Sequence, residues 1–209
     1  NGGALRNISG NNTYQGEITL ASDSRINSDL FILTLSGNIN NGSQLLTLGG
    51  AGDIVVSGVI GNGAGAVTKA DAGNVTLTGT NTYTGLTTIS VGVLNIQNAQ
   101  GTGTTAGGVT VASGAALELI GGITIGDEAL TLNGTGISSG GALRNISGNN
   151  SYAGAITLST NAVRINSDNG YFSFVSIRFG GFEYHHEIES KNCERLFFGG
   201  EWFEINEGS

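Results

Sequence analysis

The sequence contains no proline and no methionine, only one cysteine (Cys193), and charged residues at only 11% of its 209 positions. Without a second cysteine the chain forms no internal disulfide, so packing and hydrogen bonds must hold the fold together. No run of about 18 apolar residues is present, which predicts that there is no transmembrane helix. Lysine and arginine are scattered singly in a chain of net charge −8, so we predict no binding to nucleic acid or to an anionic membrane surface.

Glycine is abundant, at 37 residues, beside a hydrophobic content of 38%. The lack of proline and of a three-residue glycine spacing excludes collagen. Short runs of Val, Ile, Leu and Thr alternate with Gly, Asn and Ser, a pattern typical of many short strands joined by turns. Helical spacing of apolar residues is absent over any useful length. The sequence therefore predicts an all-β fold.

Internal repeats favour one all-β architecture over the others. Residues 3–20 and 141–158 differ at only three of eighteen positions, and the pattern G-x-N-[TS]-Y-x-G begins at equal intervals, at Gly10, Gly79 and Gly148. An antiparallel sandwich or barrel also suits short strands, but it is not usually built from near-identical long repeats. A solenoid is, because each coil stacks on the one before it. We therefore predict a parallel β-helix (β-solenoid) built from repeat units of about 69 residues, each about three coils long.

Alternating apolar residues predict which side chains point into the core of this solenoid. Successive side chains of a strand lie on opposite faces, so every second residue of an apolar-polar run is expected inside. The expected core residues include Leu77, Leu94, Val111, Leu119 and Leu132.

The composition changes abruptly near Gly170. Residues 171–209 hold seven of the eight Phe, the only Trp, both His and the only Cys. We predict a β-helix repeat region over residues 1–168. Residues 169–209 form a divergent, aromatic-rich tail, which is either a cap or an out-of-frame segment and is expected to leave the solenoid. Because the chain begins inside a repeat, we expect the repeat region to be a fragment of a longer one.

The segment 73–96 reads GNVTLTGTNTYTGLTTISVGVLNI and resembles the autotransporter-associated β-strand repeat. The usual core of that repeat is Leu-Thr-Leu-x-Gly-x-Asn-Thr-Tyr-x-Gly, and here Val75 replaces the first Leu. Arg6 and Asn7 depart from the pattern in the first copy. The resemblance implies a right-handed β-helix in the passenger region of an autotransporter, secreted to the surface of a Gram-negative bacterium. It also implies a membrane anchor only through a C-terminal barrel, which we do not find within these 209 residues.

Several motifs resemble functional sites, and for each we favour a structural interpretation. Gly49–Asp53 partly matches a calcium-binding β-roll motif, and Gly61–Lys69 is a glycine-rich stretch that ends in lysine. We expect both to be turns, because the spacing fits neither a calcium nor a phosphate loop. Tyr14, Tyr83 and Tyr152 recur in register and are expected to pack over corners and bond the backbone.

Titratable neighbours are also expected to be structural. His185 and His186, near Glu183, Glu187 and Cys193, should point to opposite faces and remain solvated. Asp127 and Glu128 should likewise lie on opposite faces. Arg6 and Arg144 are expected at equivalent positions about six coils apart, so that charges are spread along the rod. We thus predict no catalytic, cofactor-binding or metal-binding residues, and no cofactor.

These features predict a protein that is not an enzyme. The expected function is a non-catalytic structural or adhesive stalk, secreted and displayed on the bacterial cell surface. Its partners would be host or bacterial surface molecules, either glycans or proteins. The alternative is a fragment of a carbohydrate-active β-helix, similar to a polysaccharide lyase or hydrolase, which would need several carboxylates and basic groups in one groove.

Overall fold

The computed structural model describes residues 2–160 and 162–179, and the backbone of three further strands, Phe182–His185, Glu194–Phe198 and Glu201–Glu207. Within these residues the chain forms strands and turns, with one 3-10 turn at Ile137–Ser139. No helix among them is long and apolar enough to cross a membrane. The predicted all-β fold is confirmed.

The strands are short and follow one another closely. Those of the first half are β1 Leu5–Asn7, β2 Asn12–Tyr14, β3 Ile18–Thr19, β4 Ser24–Ser28, β5 Ile32–Leu35, β6 Ile39–Asn40, β7 Leu46–Gly49, β8 Asp53–Val56, β9 Ile60–Gly61, β10 Val67–Lys69, β11 Val75–Leu77, β12 Thr87–Ile89 and β13 Gly92–Ile96. Those of the second half are β14 Val109–Val111, β15 Ala115–Ile120, β16 Thr124–Ile125, β17 Leu130–Leu132, β18 Leu143–Ser147, β19 Asn150–Leu158, β20 Ile165–Ser167, β21 Phe172–Phe179, β22 Phe182–His185, β23 Glu194–Phe198 and β24 Glu201–Glu207.

Successive strands belong to different sheets, and this makes the chain a solenoid. The first sheet has the order β1-β4-β7-β10-β12-β14-β17-β19-β21-β22, and β16 joins it beside β19. The second sheet has the order β2-β5-β8-β11-β13-β15-β18-β20-β24-β23, and β3, β6 and β9 form a short third sheet. Pairing from β1 to β21 in the first sheet and from β2 to β24 in the second is parallel. The chain is therefore a parallel β-solenoid of about eight turns, while its right-handedness stays a prediction.

The coils of the first half have a nearly constant length. The side chains of Asn7 and Ser28, which are hydrogen-bonded from one coil to the next, are 21 residues apart. Leu5 pairs with Ile26 at the same spacing. The predicted repeat unit of about 69 residues is not a whole number of these 21-residue coils, so equivalent segments need not lie in the same sheet. The first copy of Leu-Arg-Asn lies in the first sheet as β1, but the copy at Leu143 lies in the second sheet as β18.

This change of sheet has a simple cause. Three coils of the first half are slightly shorter than the offset from Gly10 to Gly79, so the middle copy lies roughly one face further along the coil than the first. Later coils are longer, because Asn95 and its neighbour Glu118 are 23 residues apart, and Glu118 and its neighbour Arg144 are 26 residues apart. The middle and third copies therefore lie in the same sheets, with β11 and β18 both in the second.

The interior is apolar, and it contains the five predicted core residues. Leu77, Leu94, Val111, Leu119 and Leu132 are all buried. Most strands bury two residues around one outward residue, as in Val109–Val111. Parallel pairing stacks like positions, so the inward side chains form one continuous hydrophobic core along the solenoid.

Glycines form columns at the corners where coils approach most closely. Gly16, Gly37, Gly58 and Gly79 occupy successive coils. A methyl group on Gly58 would lie 2.0 Å from the carbonyl oxygen of Gly37, and one on Gly37 would lie 2.1 Å from that of Gly16. Both contacts are to backbone, which cannot rotate away, so these positions exclude any side chain.

Past Gly170 the parallel sheets continue by one strand each, although we expected the tail to leave the solenoid. β21 pairs in parallel with β19, and β24 pairs in parallel with β20. Phe172, Phe174 and Ile177 are buried on the inward side of β21, so aromatic residues here continue the alternation of the aliphatic ones. β22 and β23 then pair antiparallel with β21 and β24. The boundary at residue 168 and the cap or out-of-frame alternatives stay predictions.

The core register can be tested at Leu119. Its side chain is fully buried in β15, and an aspartate there would place an unpaired charge in the core. We expect Leu119→Asp to lower the free energy of unfolding by several kcal/mol and to lower the thermal midpoint sharply. The outward-facing Thr76→Asp in β11 is the control and should change the midpoint little, as followed by circular dichroism. Equal effects of the two changes would contradict the register.

The glycine column can be tested at Gly58. The substitution Gly58→Ala forces a methyl group against the backbone of the preceding coil and should cost about 1–3 kcal/mol. The neighbouring Ser57 is exposed, so Ser57→Ala serves as the control and should be nearly neutral. Urea unfolding of both variants measures the difference. If Gly58→Ala were as stable as the parent chain, close corner contact would not be what excludes side chains there.

Candidate functional site

A row of threonines runs along the outer face of the first sheet. Strand pairing places one threonine of each of six consecutive coils directly beside the next, and we call this row the threonine ladder: Thr47, Thr68, Thr88, Thr110, Thr131 and Thr157. All six are partly exposed. With strands about 4.8 Å apart, the ladder is about 24 Å long. Each rung presents a hydroxyl group, which donates and accepts hydrogen bonds, beside a methyl group.

The rows that flank the threonine ladder are uncharged. Two positions before the rungs stand Leu45, Ala66, Leu86, Gly108, Ala129 and Ala155, and two positions after them stand Gly49, Ala70, Ser90, Ala112, Asn133 and Ser159. Among the described residues, the six rung hydroxyls have no intramolecular hydrogen-bond partner. Arginines adjoin both ends of the ladder, because Arg25 pairs with Thr47 and Arg178 with Thr157. The ladder is thus a long, neutral strip whose hydroxyls are available for external contacts.

The near-identical copies build the same corner in two different places. In the first copy, the buried Asn7 amide donates to the carbonyl oxygens of Gly10 and Leu30 and to the Ser28 hydroxyl. Asn12 in turn donates to the Asn7 side-chain oxygen at 2.6 Å.

In the third copy, Asn145 bonds the carbonyl oxygen of Gly148 and the Ser167 hydroxyl, and Asn150 donates to Asn145. We call this arrangement the asparagine corner. Its local sequence determines it, since it forms at the end of a first-sheet strand in one copy and of a second-sheet strand in the other.

Each asparagine corner also carries an ion pair between neighbouring coils. Arg6 pairs with Asp29 in the first copy, and Arg144 pairs with Asp168 in the third. Arg144 makes a second ion pair with Glu118 of the preceding coil, at 2.8 Å. A single guanidinium group therefore links three coils on the outside of the second sheet.

A groove of about 490 Å³ lies beside the first asparagine corner. Its lining comes from four successive coils and comprises Arg6, Asn27, Asp29, Gly50, Ala51, Asp71 and Ala72. Arg25 lies in the second of these coils and pairs with Asp71 in the fourth, so the ion pair spans the third coil. Gly49 makes this possible, because a methyl group there would lie 2.7 Å from both the Arg25 nitrogen and the Asp71 oxygen.

Both carboxylates of the groove are held in the ionised form. The hydrogen bond from Arg6 keeps the pKa of Asp29 below its usual value. Desolvation alone would raise the pKa of Asp71, but hydrogen bonds from Arg25 and the Gly50 N–H, together with the charges of Arg25 and Lys69, lower it overall. A general acid needs a raised pKa instead, so the groove offers ion pairing between coils and polar contacts to a ligand rather than proton donation.

Lys69 is a buried cation that the sequence did not identify. It occupies an inward position of β10, between Leu48 and Ile89 of the adjacent strands. Its Nζ donates to the carbonyl oxygens of Ala70, Asp71 and Val91 at 2.7–2.9 Å, which joins two coils. Desolvation lowers the pKa of Lys69 to about 8. The preceding stretch from Gly61 is a turn between β9 and β10, as predicted.

The predictions for the turn at Gly49–Asp53 and for the pair Asp127 and Glu128 are confirmed, whereas those for the recurring tyrosines are confirmed only in part. Gly49–Asp53 forms the turn between β7 and β8, and Asp127 and Glu128 lie on opposite sides, the first exposed and the second buried. Tyr83 and Tyr152 are buried, but Tyr14 is 43% exposed. The Tyr83 hydroxyl bonds the Thr87 hydroxyl rather than the backbone.

Two predictions about charge need separate comment. The expected equivalence of Arg6 and Arg144 is wrong, because the two lie in different sheets. Their charges are also paired between coils rather than simply spread. The cluster around His185 and His186 lies outside the residues whose side chains are described. Elsewhere in the described chain, no group of three or more His, Cys, Asp or Glu residues is placed to hold a metal ion.

Comparison with known proteins identifies one segment. Residues 67–96 match the model of the passenger-associated-transport-repeat family. The matched segment extends from β10 to the end of β13 and includes Lys69, Tyr83 and two rungs of the threonine ladder. The predicted resemblance to an autotransporter passenger is confirmed, while searches of curated proteins and of solved structures find no match.

The asparagine corner can be tested by truncating its central residue in both copies. Asn145→Ala removes several buried hydrogen bonds and leaves their acceptors unpaired, so we expect a loss of about 2 kcal/mol or more in the free energy of unfolding. Asn7→Ala should weaken its own corner in the same way. Ser9→Ala and Ser147→Ala, which remove no corner side-chain bond, are the matched controls. Local hydrogen exchange around each corner provides the measurement, and a neutral Asn145→Ala would contradict the network.

Proposed function

We propose that this chain is a section of a non-catalytic stalk, secreted and displayed on a bacterial cell surface, and that its threonine ladder is an adhesive face. The passenger-associated-transport-repeat at residues 67–96 supports the export route, because this repeat belongs to autotransporter passengers. The stacked coils support the role of a stalk, because their length grows with each repeat while the cross-section stays constant.

The observation that carries the adhesive role is the regularity of the ladder over six coils. A hydroxyl and a methyl group recur about every 4.8 Å without an interrupting charge. Such a strip suits many weak, parallel contacts with a repetitive partner such as a surface glycan or an extended protein segment. Binding would then depend on the number of rungs engaged together, as in other multivalent contacts.

The charged groups of the groove support the non-catalytic part of this proposal. Asp29 and Asp71 are each held by an arginine, and the pKa of each is lowered. Glycosidic cleavage by paired carboxyl groups instead needs one that stays protonated near neutral pH. The carbohydrate-active alternative therefore gains no support from this groove.

Adhesion can be tested with beads coated with the purified chain and applied to epithelial cells, bacterial cells and immobilised glycans. The double change Thr88→Glu and Thr110→Glu interrupts the ladder with charge and should reduce bead binding at least tenfold. The control, Thr34→Glu and Thr76→Glu, adds the same charge to partly exposed positions of the second sheet and should leave binding nearly unchanged. Equal loss in both variants would contradict an adhesive ladder.

The enzymatic alternative needs its own assay. We expect no product release when the chain is incubated with pectin, alginate or glycosaminoglycans. Reproducible turnover of any of these polymers would overturn the stalk proposal in favour of a carbohydrate-active protein.

A further inference from the structure

Glu128 is a carboxylic acid in the interior of a solenoid corner. Its side chain is only 2% exposed, and it lies in the segment between β16 and β17. The Thr102 hydroxyl donates to Oε2 at 2.6 Å, whereas Oε1 has no hydrogen-bond partner among the described residues. A buried carboxylate with one unpaired oxygen is energetically unfavourable, and a neutral carboxyl group is far less so.

The hydrogen bond to Glu128 ties the loop formed by residues 97–108 to the rest of the solenoid. Thr102 is at the centre of this loop and is buried. Its backbone oxygen accepts from the Thr87 hydroxyl at 2.9 Å, and that hydroxyl bonds the Tyr83 hydroxyl at 2.7 Å. A chain of buried hydrogen bonds therefore runs from Tyr83 through the loop to Glu128, across successive coils.

No cation lies among the described elements packed around Glu128. The loop 97–108, the strands β12 and β19, and the corner 79–85 contain no charged residue. The titratable groups that face Glu128 are Tyr83 and Tyr152, whose pKa values burial and the Glu128 charge both raise. The neighbouring Asp127 is exposed and also acidic. An ionised Glu128 would therefore be buried beside neutral phenols, without a counter-charge.

We propose that Glu128 is a protonation-dependent latch for the loop 97–108: the neutral carboxyl group holds the loop on the solenoid, and the ionised carboxylate releases it. This inference is independent of the proposed adhesive role. The latch lies in the interior of the solenoid, where Glu128 and Thr102 are buried, whereas the threonine ladder lies on the outer surface.

The direction of the pH dependence follows from the burial of the group. Desolvation raises the pKa of Glu128 to about 7 in the folded chain, although the Thr102 hydrogen bond opposes this, and the ordinary value is about 4.3. The closed loop therefore binds the proton more tightly than the open loop. Its extra stability is complete below about pH 4.3 and is lost as the pH rises through about 7.

Hydrogen exchange at single amides tests the latch in the full chain. The Thr104 N–H bonds the Tyr83 carbonyl oxygen at 3.0 Å and reports on the loop. The Ser24 N–H, which bonds the Leu45 carbonyl oxygen at 2.9 Å several coils away, is a distant reference. After correction for intrinsic exchange, we expect protection of Thr104 to fall at least tenfold between pH 5 and pH 8. Protection of Ser24 should not change.

Two variants separate the latch from a general effect of pH. Glu128→Gln keeps an acceptor for Thr102 but cannot ionise, so Thr104 should stay protected at both pH values. Asp127→Asn removes the adjacent exposed carboxylate and should behave like the parent chain. A pH-dependent loss that persists in Glu128→Gln, or one that disappears in Asp127→Asn, would overturn the proposal.

A direct titration keeps the test decisive if Glu128→Gln fails to fold. Carbon-13 NMR of the glutamate side-chain carboxyl groups should show one group with a midpoint near 7, and its signal should be absent from Glu128→Gln if that variant folds. A midpoint at or below the ordinary value for every glutamate would overturn the proposal, as would equal Thr104 protection at pH 5 and pH 8.

Discussion

Each coil can hydrogen-bond to the next along both main sheets only if the chain also closes its corners at the strand spacing of about 4.8 Å. At such a corner there is no room for a side chain between stacked backbones, and the glycine column that includes Gly37 and Gly58 meets this condition. The parallel register follows, because a corner fixed in one coil places the next strand directly over the last. Once the register is set, inward residues stack on inward residues, and the core becomes continuous.

The same stacking explains where the polar groups are. An outward residue has its nearest outward neighbours one coil above and below, so charges that are far apart in the sequence come together in space. On the second sheet this produces the Glu118–Arg144–Asp168 chain of ion pairs. On the first sheet the equivalent row is filled by threonine over six coils, between Arg25 and Arg178. The solenoid therefore has a neutral strip along part of the first sheet and linked charges at the first coils of that sheet and along the second.

Much of this organisation could be predicted from the sequence, but not all of it. Alternation was sufficient to place Leu77, Leu119 and Leu132 in the core, since period-2 patterns depend only on local geometry. The parallel solenoid followed from the repeats. The sheet occupied by each copy did not, because it depends on the accumulated length of every coil in between, and loops such as 97–108 change that length.

In the candidate site, too, contacts between coils could not be predicted from local patterns, because they depend on the length of each coil. Thr47 and Thr68 are separated by one coil, a spacing that would have indicated the ladder had the coil length been known. The Arg25–Asp71 pair spans two coils and depends on the absence of a side chain at Gly49, a contact that no local pattern contains. Glu128 was correctly predicted to lie opposite Asp127, but its burial depends on a loop contributed by another coil.

The asparagine corner forms the same contacts at two different edges of the solenoid, and this affects how such an array can change in length. Near-identical segments are natural points for unequal exchange, which would add or remove a block of residues between them. A block that is not a whole number of coils would leave each corner intact and rotate everything after it about the long axis. Gain or loss of a repeat would then change the length of the rod and also turn its neutral strip and its ion pairs toward different neighbours.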